Sequence, residues 1–586
     1  MPVTLYPILP GDRLDEFIAA FRAAAAADPF GSWLVLPTGS LVREALHRLD
    51  EEDAAVITSR VTTLAGYART LFEDHASGER LIDETEATLI LTHLLARHAD
   101  RLPLLTHAGR GSPGTVQELR SLITQIAYRQ VAYPEALGDL QGEKSAEIAW
   151  VRDAYREYLQ EHRLVSTALL LLWAERWLLD HSEASTGTVW VYGSIEQLPL
   201  EKALVCAIRD RAALLHYALP TVGGDGGAWL GEVERVPPPA EADPPRRQVA
   251  GLFSDTTWTA GDQIRVARWN DRVDEVRGIA GEIRALLDAG ARPGEITVAF
   301  PDLSRGAALV AEVFPDFGIP YAPSKGLPLT RSPLVQALTT VLATPARSYR
   351  REDVVALLTS PYLHPAGRTD GDTVDALARE ANIVGGADAW DPRLAALAEG
   401  QDDRKVTEIA GVRERLADLF ADLATLDGTR TIPEHLAAFR SLLDRWGCGH
   451  LPAGGDPVLC AQEGRDLAAF LQVLDSLADA APGVPARPVN LAGFFSTLNF
   501  LLAGARAAPP KNRNAVQVVG IRELQHLSVP YLFIGGLLEG DMPDLTTRLP
   551  FTNDQEARRL GTRTGAEVLR EERASFVAAL LAGRHV

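Results

Sequence analysis

The chain has 586 residues, 46% of them hydrophobic and 23% charged, with a mean hydropathy of -0.02; one core stops growing at roughly 250 to 300 residues, so about four domains are expected. A net charge of -20 and an isoelectric point near 5.2 exclude a broadly basic nucleic-acid surface and leave any such contact to local patches. No run reaches the ~18 apolar residues of a membrane span, and the start MPVTLYPILPGDRLDEF lacks the basic and small-residue regions of a secretory signal, so a cytoplasmic protein with no membrane partner is expected.

Residues 3–8, VTLYPI, read as a strand and Asp12 to Ala27 as an Ala-rich helix. An ATPase carries its phosphate loop in such an opening. Here the loop is Leu9-Pro10-Gly11-Asp12-Arg13, with no GxxxxGK[ST], hence no lysine for the phosphates and no hydroxyl for magnesium. Asp12 repels phosphate. Gly142-Glu143-Lys144-Ser145 follows no strand and has the wrong glycine spacing. No ATP site is expected.

Trp33 to Leu36 is an apolar strand that ends in Pro37-Thr38-Gly39 before a helix pattern from Leu41 to Leu49, and Arg60 to Ala68 repeats strand, turn and helix. In the second of these, a helix capped by Thr62 or Thr63 with Tyr67 in the core stands beside a reading of the loop as a ligand contact. Residues 83–180 are helical almost throughout. Asp83-x-x-Glu86 has capping-box spacing, and Ile90, Leu91, Leu94 and Leu95 form a stripe. Thr188 to Tyr192 is a further strand, followed by Glu196-Gln197. One carboxylate with no phosphate loop is no metal site, so this strand reads as structural.

Residues 220–250 are rich in Pro, Gly and charge, the composition of a linker. Beyond them, Ile264 to Ala267 read as a strand, Asp274 to Asp288 as a helix and Ile296 to Phe300 as a strand, with Phe317-Gly318-Ile319-Pro320-Tyr321 at the next sheet edge. From Pro333 to about 510 amphipathic helical stretches dominate, among them Val354 to Leu358, Val406 to Leu426, His435 to Leu443 and Leu467 to Leu477. Val516 to Val519 and Tyr531 to Ile534 then read as buried parallel strands. Two helices follow, Asn553 to Arg559 and Arg570 to Arg584. Cys206, Cys448 and Cys460 lack CxxC spacing and support neither a zinc site nor an iron–sulfur cluster.

The stretch VQVVGIRELQHLSVPYLFIGGLLEGDMP, with Arg522, a Leu527-centred loop and Gly536-Leu537-x-Glu539-Gly540-x-x-Pro543, resembles motif V of the UvrD/Rep-type superfamily 1 helicases, and most nearly the AddB-type subunits of helicase–nuclease complexes. RVARWNDRVDEVRGIAGEIRALLDAGARPGEITVAFPD resembles their motif IV. The resemblance implies an α/β fold of two RecA-like parallel-sheet domains, each with a helical insertion. Residues 1–82 and 181–255 would form domain 1A, 83–180 insertion 1B, 256–345 and 510–586 domain 2A, and 346–509 insertion 2B.

It further implies DNA-contacting loops at Thr38, at Arg60, Thr63 and Tyr67 (with Ala65 where the family has histidine), and at Arg522, Gln525 and His526. His526 has no serine, cysteine or carboxylate pair beside it, so catalysis is not expected. The implied partners are DNA and a helicase–nuclease subunit of AddA type, with no cofactor, no metal and no catalytic residue in this chain. A nuclease domain of the PD-(D/E)XK kind is expected after Val586 in a longer protein. Two functions stay open: a non-hydrolysing DNA-binding subunit of a break-repair and recombination helicase–nuclease, or a protein-interaction scaffold without DNA contact.

Overall fold

The computed structural model describes residues 3–51, 56–106, 113–128, 143–181, 186–195, 198–222, 226–237, 249–253, 264–364, 370–448, 457–485, 487–509, 512, 514–544, 554–555 and 564–586. Residues 1–84, 117–324 and 509–586 form one compact unit, and residues 85–116 and 325–508 a second. The class is α/β, as the sequence implies, with two large parallel sheets in the first unit beside a two-stranded parallel one, Arg80–Ile82 with Leu164–Ser166.

The first sheet comprises β1 (Val3–Ile8), β2 (Trp33–Leu36), β3 (Val61–Thr63), β4 (Thr186–Tyr192), β5 (Ala212–Pro220) and β6 (Glu234–Arg235), in the order β3-β2-β4-β5-β1-β6. Every neighbouring pair is parallel. Such a sheet is covered on both faces, which is why its central strands are apolar without alternation. The two-residue period still assigns faces. Trp33, Val35, Val189, Val191, Leu215 and Tyr217 pack against helices α3 (Leu64–His75), α4 (Leu170–Asp180) and α5 (Pro199–Arg209). Leu34, Leu36, Trp190 and Tyr192 face α1 (Leu14–Ala27) and α2 (Gly39–Glu51).

The second sheet comprises β7 (Ile296–Phe300), β8 (Tyr321–Pro323), β9 (Val516–Gly520), β10 (Val529–Ile534) and β11 (Gly583–His585), in the order β8-β9-β7-β10-β11. Thr297 pairs with Gln517 on one side and Leu532 on the other, so strands some 220 residues apart in the chain share one sheet. Helices α6 (Arg272–Asp288), α7 (Leu303–Val313) and α8 (Gly565–Ala582) belong to this lobe. The second unit is helical around Trp390, Phe439, Phe470 and Phe494, all buried, and the Trp390 indole N–H donates to the Tyr349 carbonyl at 3.0 Å. Among the described residues no helix is long and apolar enough to cross a membrane.

Two local expectations are corrected. Ile264 to Ala267 is not a strand: the segment makes one ladder-like bond, from the Arg265 N–H to the Val586 carbonyl at 2.7 Å, and leaves Val266 89% exposed. The last helix stops at Ala582, and Gly583–His585 joins β10 as a parallel edge strand, so Arg584 sits in a strand. Glu196-Gln197, the linker from 238 to 248 and most of Asn553 to Arg559 lie outside the described residues.

Close approach of α7 to β7 sets a packing limit. A Cβ on Gly306 would fall 2.2 Å from Cγ of the buried Phe300. Gly306→Ala is expected to destabilise the protein by about 1–3 kcal/mol through overpacking, read as a lower urea midpoint with unchanged slope.

Candidate nucleic-acid interface

Ligands of parallel α/β sheets bind outside the carboxyl ends of the strands, where backbone N–H groups of loops and helix N-termini face outward. Both lobes have such an edge. What satisfies those N–H groups differs between them.

At the carboxyl end of β1, where a phosphate loop would stand, the Asp12 carboxylate accepts from the Leu9 N–H at 3.3 Å, and Gly11 (φ 87°) and Arg13 (φ 58°) close a tight left-handed turn. Tyr192, at the end of β4, donates its hydroxyl to the Asp12 carbonyl at 2.6 Å. In the second lobe Asp271 accepts from the Val273 and Asp274 N–H groups at 2.8 Å, and Asp302 from that of Arg305 at 3.2 Å. Glu275 reaches the Gly536 N–H with both oxygens, at 3.0 and 3.1 Å. Gly535 must be glycine here, because its Cβ would lie 2.7 Å from the Phe300 ring. Internal carboxylates thus take each of these anion-binding positions. Arg272 and Arg305 are turned onto Asp541, not toward a phosphate.

The ends of β2 and β3 are built differently. Thr38 caps α2, its Oγ1 accepting from the Leu41 N–H at 3.2 Å, and Thr63 caps α3, accepting from that of Gly66 at 3.1 Å. A hydroxyl satisfies an N–H without adding charge, so the positive ends of these helices are not neutralised. Exposed Arg43 stands on the first turn of α2, donating to Ser40 Oγ at 2.9 Å. Sequence reasoning missed Ser40 and Arg43; their i,i+3 spacing on the turn after Thr38 was the available signal.

The remaining sequence-derived residues separate from this edge. Tyr67 is 1% exposed, its ring edge-on to Trp33 at 4.7 Å, so the cap-and-core reading of its loop describes it. Burial pushes its phenol up, partly opposed by Arg60. Arg60 precedes β3, at the amino end of the sheet, and lies over the Trp33 ring at 4.0 Å. Arg522 is paired with Glu572 of α8, and Gln525 is 8% exposed.

His526 is 1% exposed and in the left-handed region (φ 67°), which histidine enters more readily than most residues. Its ring meets Tyr192 edge-on at 4.7 Å, and neither ring nitrogen makes a well-formed hydrogen bond among the described residues, the Gly193 backbone offering only a weak one. Burial pushes its pKa down to about 3, the Gly193 backbone opposing. The folded value lies below the unfolded ~6.5, so this group contributes stability above pH ~6.5 that is lost as pH falls toward the folded value. His526→Asn tolerates the backbone and removes the titration. Its melting temperature is expected to lie below wild type at pH 7, with the gap narrowing toward pH 4. A gap constant across that range would contradict a buried neutral imidazole.

No protein-family model matches the chain. It is 24% identical over 545 residues to the B-type subunit of the ATP-dependent helicase/deoxyribonuclease of Latilactobacillus sakei, covering 80% of this chain and 46% of that protein. It is 32% identical over 112 residues to the protein of the same name from Geobacillus kaustophilus, 19% of this chain and 9% of the other. With that of Streptococcus pyogenes it shares 26% over 137 residues, 23% of this chain and 13% of the other. The chain spans less than half the length of the curated relatives it matches. The resemblance to AddB-type subunits, carried in the sequence by the second lobe, extends over four fifths of the chain.

Proposed function

We propose that this chain is part of a subunit of a DNA-break repair and recombination helicase–nuclease, working in the cytoplasm beside a partner subunit of AddA type. It binds DNA without hydrolysing ATP, and takes no cofactor. A nuclease domain belongs to the longer protein. The DNA path runs across the carboxyl ends of β2 and β3, where helix N-termini and Arg43 draw backbone phosphates. One observation carries this reading: these loops are capped by neutral Thr38 and Thr63 with no carboxylate in the cap, whereas in the second lobe Asp271 and Asp302 cap α6 and α7, and the Thr564 cap of α8 is closed by the Glu567 carboxylate.

Aspartate caps a helix as well as threonine does, so Thr38→Asp and Thr63→Asp keep the fold and change only the charge met by a phosphate. Single-strand affinity is expected to fall tenfold or more, about 1.4 kcal/mol, at constant melting temperature. Wild-type binding should weaken with salt, with a logarithmic slope of about -0.7 per phosphate contact. Unchanged affinity in both variants would overturn the interface.

The net charge of -20 favours the alternative, a protein-interaction scaffold that meets no DNA. Absence of any salt-dependent single-strand binding selects it. The missing phosphate-loop lysine and the internal Asp12 contact support a chain that does not bind nucleotide. Calorimetry with ATP and magnesium is expected to show no heat of binding, and a micromolar dissociation constant, about -8 kcal/mol, would refute this.

A further inference from the structure

The two α/β lobes of the first unit meet where a nucleotide would enter, and the meeting surface is apolar. Leu527 of the second lobe packs both against the Ile8, Leu14, Leu36 and Leu41 cluster of the first sheet and against the Val519, Ile521, Leu524 and Leu532 cluster of its own. Beside it His526 sits on Tyr192, whose hydroxyl is fixed to the Asp12 carbonyl at 2.6 Å. A second seam runs alongside. Leu9, from the loop after β1, joins Val222 and Val249 against Val577, Leu580 and Leu581 of α8.

We propose that His526 and Leu527 form a built-in plug that fastens the two lobes into one permanently closed body, occupying with side chains the cleft that a nucleotide would otherwise open and close. Lobes that close on a ligand part through a wet, polar cleft and bend at a few hinge residues. Here parting would expose Leu527, Leu9 and one face of α8 to water, and break the contact between the Tyr192 and His526 rings. The loop is anchored at its base as well: the Leu527 N–H donates to the Leu524 carbonyl at 3.0 Å, and Arg522 pairs with Glu572 of α8. His526 adopts φ 67°, so the backbone turns sharply at the point where the plug enters. The proposal stands whether or not the chain binds DNA.

Hydrogen exchange on the full chain tests it. The amides of Leu9, Asp12 and Leu527, each hydrogen-bonded, are expected to exchange as slowly as the centres of β4 and β7, because only unfolding of the whole unit exposes them. In Leu527→Asp the Leu9 and Asp12 amides are expected to exchange a hundredfold or more faster, while β4 and β7 keep their protection. In His526→Asn the same amides should speed by roughly tenfold. Two results would overturn the plug: loop amides of the wild type exchanging a hundredfold faster than the strands, or Leu527→Asp leaving Leu9 and Asp12 as slow as in the wild type. Circular dichroism reports whether Leu527→Asp stays folded; if it does not, His526→Asn decides alone, and unchanged Leu9 and Asp12 exchange in it counts against the plug.

Discussion

The hydrogen bond from the Tyr192 hydroxyl to the Asp12 carbonyl ties together the two loops that define the mouth of the first sheet. It arises from strand order. β4 and β1 are separated by β5, and Tyr192 stands beside the small Ala218 of β5, so its ring has the reach to cross that strand and meet the loop after β1. In a nucleotide-binding sheet that space holds phosphates. Here it holds an aromatic ring, which demands an apolar or aromatic cover, and His526 with Leu527 supplies it. The closed seam, the buried histidine and the internal carboxylates all follow from that substitution of side chain for ligand.

Backbone arithmetic explains the carboxylates. The first turn of a helix and the loop that leaves a parallel strand both carry N–H groups without a partner in helix or ladder, and these must be satisfied. With no phosphate to accept from them, Asp12, Asp271, Glu275 and Asp302 do so. The plug has its own balance. Leaving a buried polar group unpaired costs about 1–3 kcal/mol, and fully burying one Leu side chain returns roughly 1.5–3 kcal/mol. Half-buried Leu527, with Leu9 and the α8 leucines, is therefore enough to carry the poorly bonded imidazole of His526.

Much of the fold was legible in the chain because buried parallel strands are apolar on both faces. Ile296–Phe300 and Trp33–Leu36 are buried at every position and read directly as strands. Ile264 to Ala267 has the same β-branched character but lies beyond a three-residue edge strand, which offers too short a ladder to hold it. Gly583 ended a helix that propensity alone would extend to Arg584. At the candidate site, the cap of α3 was legible, as Thr62 or Thr63, because a cap is local. The surroundings of Arg60 and Tyr67 were not: both depend on Trp33, some thirty residues away, and only tertiary packing decides that an arginine lies on an indole. The burial of His526 was hidden for the same reason, since the Tyr192 ring that meets it comes from the other lobe.

The strongly acidic surface and a DNA-binding role are compatible only if attraction is confined to a small region. Charges beyond about 8–10 Å are screened at physiological salt, so the net charge of -20 acts on long-range approach while the local arrangement acts on the bound phosphate. A helix N-terminus is a short-range donor of this kind, its influence fading within a turn. On this reasoning the caps decide where a phosphate can rest. In the proposed reading, the carboxylates of Asp271, Asp302 and Glu567 at the second lobe's helix ends repel at the same short range over which the threonine-capped ends of α2 and α3 attract, and the contrast would give a strand one preferred edge without any broad basic surface.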